Sequence, residues 1–341
     1  MPKPAAVFNR FVLTSAIAVL AACGGGGGGN GGGSTSVVTA SAPVTVTAAN
    51  APKVAGATFE ATDDLSGGGG GVAGVFAASA DGTQSAGTNL LDALLTRIRR
   101  TPGLLSSGTS GVRAAAVVQI NGQPCDSGTF SGSFNDTDNS QDLSTGDSLS
   151  VTSSSCIFDG VVMSGSLTVD NVVITGGFTN DVAPFSFSFR IRTSNLSVTV
   201  DGETVLMNGD VTLQELTSDN VTFTSSFNGN GIKIVTSSDT LILTDFVINE
   251  IENKASGAYT ISVNGTISSS GIGGSVSVTT NVPFTGVGTL DPTGGEATCV
   301  GANGTSVKLI ANADGNTVQL QIDTNGDGTA DNTIDETWAN L

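Results

Sequence analysis

The chain has 341 residues, with 12 basic and 30 acidic side chains, a net charge of −18 and no histidine. Without imidazole there is no Ser-His-Asp or Cys-His catalysis and no histidine metal ligand. The acidity argues against a nucleic-acid partner, which needs a basic groove. One Trp (Trp338) and one Tyr (Tyr259) argue against both a sugar-stacking platform and the aromatic girdles of a membrane barrel.

The first segment carries Lys3 and Arg10 and no acid. Residues 11–22 follow, apolar except for Thr14 and Ser15. A charged start, a short apolar core and a small-residue exit make a secretory signal over residues 1–22. The apolar run falls short of the roughly 20 residues that span a bilayer. It closes on Leu20-Ala21-Ala22-Cys23, which resembles the lipobox of bacterial lipoproteins. The resemblance implies cleavage before Cys23, a diacylglyceryl thioether on its sulfur and an acylated new N-terminus. Several acyl chains anchor firmly where one alone is marginal. In lipoproteins of enteric bacteria an aspartate after the cysteine favours the inner membrane. This chain has Gly24 there, so the resemblance implies a lipid anchor in the outer membrane, in the periplasmic or the surface leaflet.

Residues 24–33 are glycine apart from Asn30. Such a run holds neither helix nor strand, so residues 23–36 form a lipidated, flexible tether with a reach of roughly 15–20 Å. Loss of residues 1–22 leaves 10 basic and 30 acidic residues, a net charge of −20, which suits a soluble domain bathed in cations.

Residues 37–114 read as a mixed N-terminal segment. The β-branched stretch 37–48 predicts a short strand, and 50–61 and 89–100 predict helices. In the second helix Leu90, Leu91, Leu94, Leu95 and Ile98 recur at helical spacing, a stripe suited to lying on a sheet. Arg97, Arg99 and Arg100 crowd its last turn, and Thr101-Pro102-Gly103 ends it. The glycines of 67–71 make a flexible joint between the two helices.

Over 115–341 the period becomes two. Phe185, Phe187, Phe189 and Ile191 alternate with Ser186, Ser188, Arg190 and Arg192. Leu196-x-Val198-x-Val200, Tyr259-x-Ile261-x-Val263 and Val318-x-Leu320-x-Ile322 repeat the pattern. Asp201-Gly202, Asn208-Gly209, Asn264-Gly265 and Asp314-Gly315 supply the positive φ of tight hairpins. The expected fold is mainly β: a large antiparallel curled sheet or sandwich with one or two N-terminal helices. An open half-barrel and a solenoid also fit the alternation, but the missing strict repeat lowers the solenoid.

With Cys23 lipidated, Cys125, Cys156 and Cys299 remain in an oxidising compartment. Pairing Asp136 with Gly146 sets Cys125 opposite Ile157, within one residue of Cys156. A small shift or bulge then allows a Cys125–Cys156 bridge and leaves Cys299 buried or free.

Two acidic loops carry the only site-like chemistry, and both point to calcium. Asp323, Asn325, Asp327 and Asp331 stand at positions 1, 3, 5 and 9 of a calcium-type loop, with Gly328 at 6 and the Thr329 carbonyl at 7. Position 12 is Ile334 rather than a bidentate glutamate. The weaker loop offers Asp136, Asp138, Ser140, Asp142, Ser144 and Asp147, with Gln141 in place of the glycine. Without an ion, either is a polar turn. Asp63-Asp64 and Glu250/Glu252 read as solvated charge.

The stretch Cys125…Asp136-x-Asp138…Leu143-Ser144-x-Gly146-Asp147-Ser148…Cys156 resembles a block that recurs in proteobacterial lipoproteins of unknown function. So does the ending, from Gln321 through Asp331 to Trp338. The resemblance implies an envelope β-protein and brings no activity. The expected function is a non-enzymatic structural or adhesin-like module, anchored to the membrane and aided by calcium, with an extracellular or envelope partner. The alternative is a carrier of a lipid ligand on a sheet lined by Phe185, Phe187, Phe189, Phe223, Phe227 and Phe246. A carboxylate glycosidase is disfavoured by the scarcity of aromatic residues.

Overall fold

The computed structural model describes residues 38–66, 116–120, 125–138, 140, 143–158, 161–177, 182–200, 203–235, 240–288 and 290–341. The expected helix at 89–100, the joint at 67–71, the Asp201-Gly202 turn and Cys23 lie outside them.

Alternating side chains and short connections favour pairing each strand with the next, and the structure follows that rule throughout. The strands are β1 (Ala116–Ile120), β2 (Ser127–Asp136), β3 (Ser148–Phe158), β4 (Val161–Gly177), β5 (Val182–Val200), β6 (Glu203–Thr217) and β7 (Thr222–Val235). They continue as β8 (Thr240–Asn253), β9 (Ala258–Ser269), β10 (Gly274–Val287), β11 (Gly294–Val300), β12 (Ser306–Ala311), β13 (Thr317–Asp323) and β14 (Asn332–Thr337). All 14 form one antiparallel sheet in chain order, and the sheet does not close. It is a single open meander, neither a two-sheet sandwich nor a solenoid.

One face of the sheet is apolar. Phe187, Phe189 and Ile191 of β5, Val307 and Leu309 of β12, and Val318, Leu320 and Ile322 of β13 are all buried. The other face carries hydroxyl pairs across strands, among them Thr152 with Ser166 (3.1 Å) and Thr175 with Ser186 (2.7 Å). It also carries the ion pairs Arg190–Asp210 (2.9 Å) and Arg192–Asp170.

The one α-helix among the described residues, α1 (Ala51–Ser66), covers part of the apolar face. Its first turn is prepared by a reciprocal pair. The Thr47 N–H donates to Asn50 Oδ1 (2.8 Å), and the Asn50 N–H donates to Thr47 Oγ1 (3.3 Å). The Val54 N–H then donates to the Asn50 carbonyl (3.0 Å). Pro52 falls in the first turn, where a missing N–H costs nothing. Ala51, Val54, Ala55 and Thr58 form the buried stripe, and the helix touches β8, β9, β11, β12 and β13. Phe59 ends that stripe against Trp338 (ring centroids 4.7 Å apart) and Phe284 (6.0 Å).

The stretch before α1 is a strap rather than the strand expected at 37–48. Its one β-bridge joins Pro43 to Ser275 in parallel. The Val44 N–H donates to the Ser275 carbonyl (3.0 Å), and the Ala302 N–H donates to the Val44 carbonyl (2.8 Å). The Val46 N–H donates to Thr305 Oγ1 (2.9 Å). The strap thus stitches the β9–β10 and β11–β12 connections. By the registers, the β7–β8 connection, the disulfide and the loop after β13 lie at this same end of the sheet.

Two of the expected Asx-Gly turns are not turns. Asn208-Gly209 lies inside β6 and Asn264-Gly265 inside β9, whereas Asp314-Gly315 does connect β12 to β13. The two mid-strand pairs belong to a row of register shifts crossing neighbouring strands. The row runs through Ser155 (φ 47°), Gly165 (φ 100°), Asn195 (φ 47°), Gly209 (φ 133°), Asp245 (φ 49°) and Gly265 (φ 142°). Bulges raise local twist and let a wide sheet coil. Phe246, 1 % exposed, follows Asp245 of the row, with its ring against Gly229 of β7 and its backbone against Gly265 of β9.

A Cβ on Gly265 would sit 2.7 Å from the Phe246 Cα, whereas one on Gly273 (φ 70°) meets nothing within 4 Å. Gly265→Ala is expected to cost about 1–3 kcal/mol of stability from strain at positive φ plus the clash, and Gly273→Ala less. Urea denaturation midpoints check this; equal losses would remove the bulge row's structural role.

Candidate functional site

Cys125 and Cys156 are disulfide-bonded, with Cα atoms 5.2 Å apart. The register differs by one from the expected pairing: Asn135 faces Ser148, and a bulge between Ser127 and Thr129 then sets Ser127 opposite Ile157, so the bridge runs diagonally across the hairpin. Closing a loop with a separation of 31 residues stabilises the fold by about 3–4 kcal/mol in the chain-entropy account.

Cys299 is a buried free thiol. Its sulfur lies 3.2 Å from Thr58 Oγ1 of α1. Burial pushes the thiol up to about 11, and the Thr58 hydrogen bond offsets this only in part.

The β2–β3 loop, at the sheet end opposite the strap, gathers Asp136, Asp138 and Asp147. One carboxylate oxygen of each lies within 4.8 Å of the others, the only such group among the described residues. Asp136 and Asp147 are buried and Asp138 is exposed. Asp147 Oδ1 accepts from the Thr137 N–H (2.7 Å) and hydroxyl (2.7 Å). Its Oδ2 accepts from the Ser144 N–H (2.7 Å) and hydroxyl (2.9 Å). Four donors thus meet the hydrogen-bonding demand of this buried carboxylate. The Ser140 N–H donates to both Asp136 Oδ1 (3.0 Å) and Asp138 Oδ1 (3.0 Å). Hydrogen bonds from Ser140, side chain first and backbone second, hold the Asp138 carboxyl below its ordinary value. Asp142 lies outside the described residues.

The β13–β14 loop, at the strap end, is organised around Asp323. Its Oδ1 accepts from the N–H groups of Asn325 (3.1 Å) and Gly326 (2.7 Å), and its Oδ2 from that of Gly328 (2.7 Å). Asn325 Oδ1 accepts from the Asp327 N–H (2.9 Å), and Asp327 Oδ1 from the Thr329 N–H (2.8 Å). Asp331 closes the loop onto Thr324, accepting from its hydroxyl (2.7 Å) and N–H (2.8 Å), and onto Asn325 Nδ2 (3.0 Å). In this arrangement the side-chain oxygens hold loop donors. The sequence ranks this loop first, yet the carboxylates converge in the other.

The six phenylalanines proposed to line a ligand groove pack among themselves and their neighbours. Phe187 stacks on Phe189 (5.3 Å) and Phe185 meets Phe223 edge-on (6.2 Å). All but Phe223 are buried. Of the four carboxylates read as solvated charge, Glu252 pairs with Lys254 at 2.6 Å. No described helix is long and apolar enough to cross a membrane.

Comparison with protein-family models, curated proteins and solved structures finds no match to this chain.

Two outcomes follow from these groups. The Cys299 thiol is expected to resist alkylation in the native state at mildly alkaline pH and to react on unfolding. Rapid native labelling would contradict its burial. The Asp331 carboxyl is held below 3.8 by the Thr324 hydroxyl first and the Thr324 N–H second. A carboxyl depressed by folding adds stability that is complete above its unfolded value and lost as pH falls through its folded value. The stability gap between wild type and Asp331→Asn should therefore be full at neutral pH and shrink below pH 3.8. A gap constant with pH, read from denaturation midpoints, would remove the linkage.

Proposed function

We propose that this chain is an outer-membrane lipoprotein, held by acyl chains on Cys23, whose β domain is a non-enzymatic interaction module in the envelope or at the cell surface. The observation that carries the reading is Leu20-Ala21-Ala22-Cys23 at the end of the apolar leader, followed at once by the glycine run. The strap at 38–46 supports it. Residues 43–46, which follow the glycine run in sequence, are bonded to the sheet through their backbone. The polar face, with its hydroxyl pairs and ion pairs, offers a contact surface without a catalytic arrangement. The phenylalanines serve as core, so the carrier alternative gains no support.

Calcium is the proposed stabilising ion of the β2–β3 loop. Asp136, Asp138 and Asp147 are its proposed ligands, one carboxylate oxygen of each lying within 4.8 Å of the others. A hard cation prefers carboxylate oxygens, and its binding to the folded state alone would raise stability by mass action.

Membrane fractionation checks the anchor: Cys23→Ala should move the protein to the soluble fraction, and unchanged association would sink the reading. For the ion, chelation should lower the melting temperature of wild type and leave that of Asp138→Asn unmoved. Identical melting with calcium and with chelator would dismiss it.

A further inference from the structure

We propose that the strap and α1 are a detachable cover: they leave the sheet together, as one unit, while all 14 strands stay paired. The proposal does not depend on the anchor at Cys23.

The strap and the helix are tied to each other. The Ala51 N–H donates to the Thr47 carbonyl (2.9 Å), and Asn50 Nδ2 donates to the Thr45 carbonyl (3.0 Å). With the reciprocal Thr47–Asn50 pair, these bonds join the end of the strap to the first turn of α1. Their hold on the sheet differs in kind from a strand's. Each strand from β2 to β13 is paired on both sides, so none leaves without breaking two ladders. The strap makes one isolated bridge, Pro43 with Ser275. Its backbone bonds there are Val44 N–H to the Ser275 carbonyl (3.0 Å), Ser275 N–H to the Ala42 carbonyl (3.0 Å) and Ala302 N–H to the Val44 carbonyl (2.8 Å). The cover can therefore detach with every rung of the sheet intact.

Away from the sheet, α1 has little to keep it helical. Gly56 and the β-branched Val54, Thr58 and Thr62 are weak helix formers. Glu60, Asp63 and Asp64 fall toward its C-terminus, where the helix dipole disfavours negative charge, and its last turn holds no base. Even Ala-rich helices of about 12–15 residues are marginal in water. The helix is held by the burial of Ala51, Val54, Ala55 and Thr58, most of them small, so docking and helix formation are one step. Elements with few buried apolar groups open at the low end of the local stability scale. Cys299 lies beneath this one as an internal reporter. Its sulfur is buried 3.2 Å from Thr58 Oγ1, covered while α1 is docked and open when α1 leaves.

The test uses the full chain in native buffer. Alkylation is read at the Cys299 peptide by mass spectrometry, with amide hydrogen exchange on the same protein. Labelling should be about a hundredfold or more slower than in the unfolded chain. It should depend only weakly on urea, because opening the cover exposes far less surface than global unfolding. The Val44, Ser275 and Ala302 amides should share the protection seen at Cys299. Val54→Ala trims the buried stripe and should speed labelling and exchange at these three amides alike, about tenfold. Ile191 is buried on β5, away from the strands that α1 touches. Ile191→Val should lower the urea midpoint and leave labelling in native buffer unchanged. Labelling that follows the urea midpoint in Ile191→Val would mean that the thiol opens only with the whole domain, and would overturn the cover. Faster labelling in Val54→Ala without faster exchange at the strap amides would mean that α1 leaves alone, and would overturn the single unit. Should either variant fail to fold, wild type decides: a urea slope of labelling equal to that of global unfolding overturns the proposal, and a shallow one upholds it.

Discussion

An open antiparallel sheet with one apolar face must find something to lay on that face. Here the partner comes from the opposite end of the chain. Helix α1 brings Ala51, Val54, Ala55 and Thr58 onto strands β8 to β13. The small side chains matter as much as the apolar ones. At Gly56 a Cβ would lie 2.6 Å from the Leu341 backbone, so only a bare backbone fits there. Fully burying each Val or Phe in such a layer is worth about 1.5–3 kcal/mol. The buried Cys299 thiol, the Phe59–Trp338–Phe284 cluster and the strap all follow from the position of this helix.

Much of this fold is written locally. The period-two runs give the strands, and the helical stretch at 50–61 gives the start of α1. The turn dipeptides mislead for a physical reason. Asn-Gly supplies a positive φ, which a hairpin needs and a bulge needs equally. Whether Gly265 turns the chain or lets it pass close to Phe246 is decided by the neighbouring strand, which lies outside any local window. The same holds for one sheet against two, since a sandwich and a meander share the same alternation along each strand. The strap is extended but not a strand of the sheet: its β-branched residues suit an extended chain, whereas a ladder also needs an adjacent free edge.

The acidic loops divide in a similar way. Positions were legible, but the direction of each oxygen was not. Asp323 has the expected spacing, yet its oxygens face the N–H groups of Asn325, Gly326 and Gly328. The loop with the poorer motif brings three carboxylates together because β2 and β3 hold Asp136 and Asp147 at facing strand ends. The Cys125–Cys156 bridge is legible despite a register error of one, because neighbouring strands of a hairpin bring both cysteines to the same end and a diagonal bridge tolerates the slip.

The strap's attachment has a consequence for how the molecule is made. Val46 and Thr305 are hydrogen-bonded across 259 residues. A chain made from its N-terminus delivers the strap and α1 first and their binding strands last. Until β12 and β13 arrive, the helix has no groove and the growing meander has no cover over its later strands. Contacts this distant in sequence slow folding and leave apolar surface and strand edges open in the meantime. The domain is therefore built to set in one late closure, with the strap end of the sheet the last part to form.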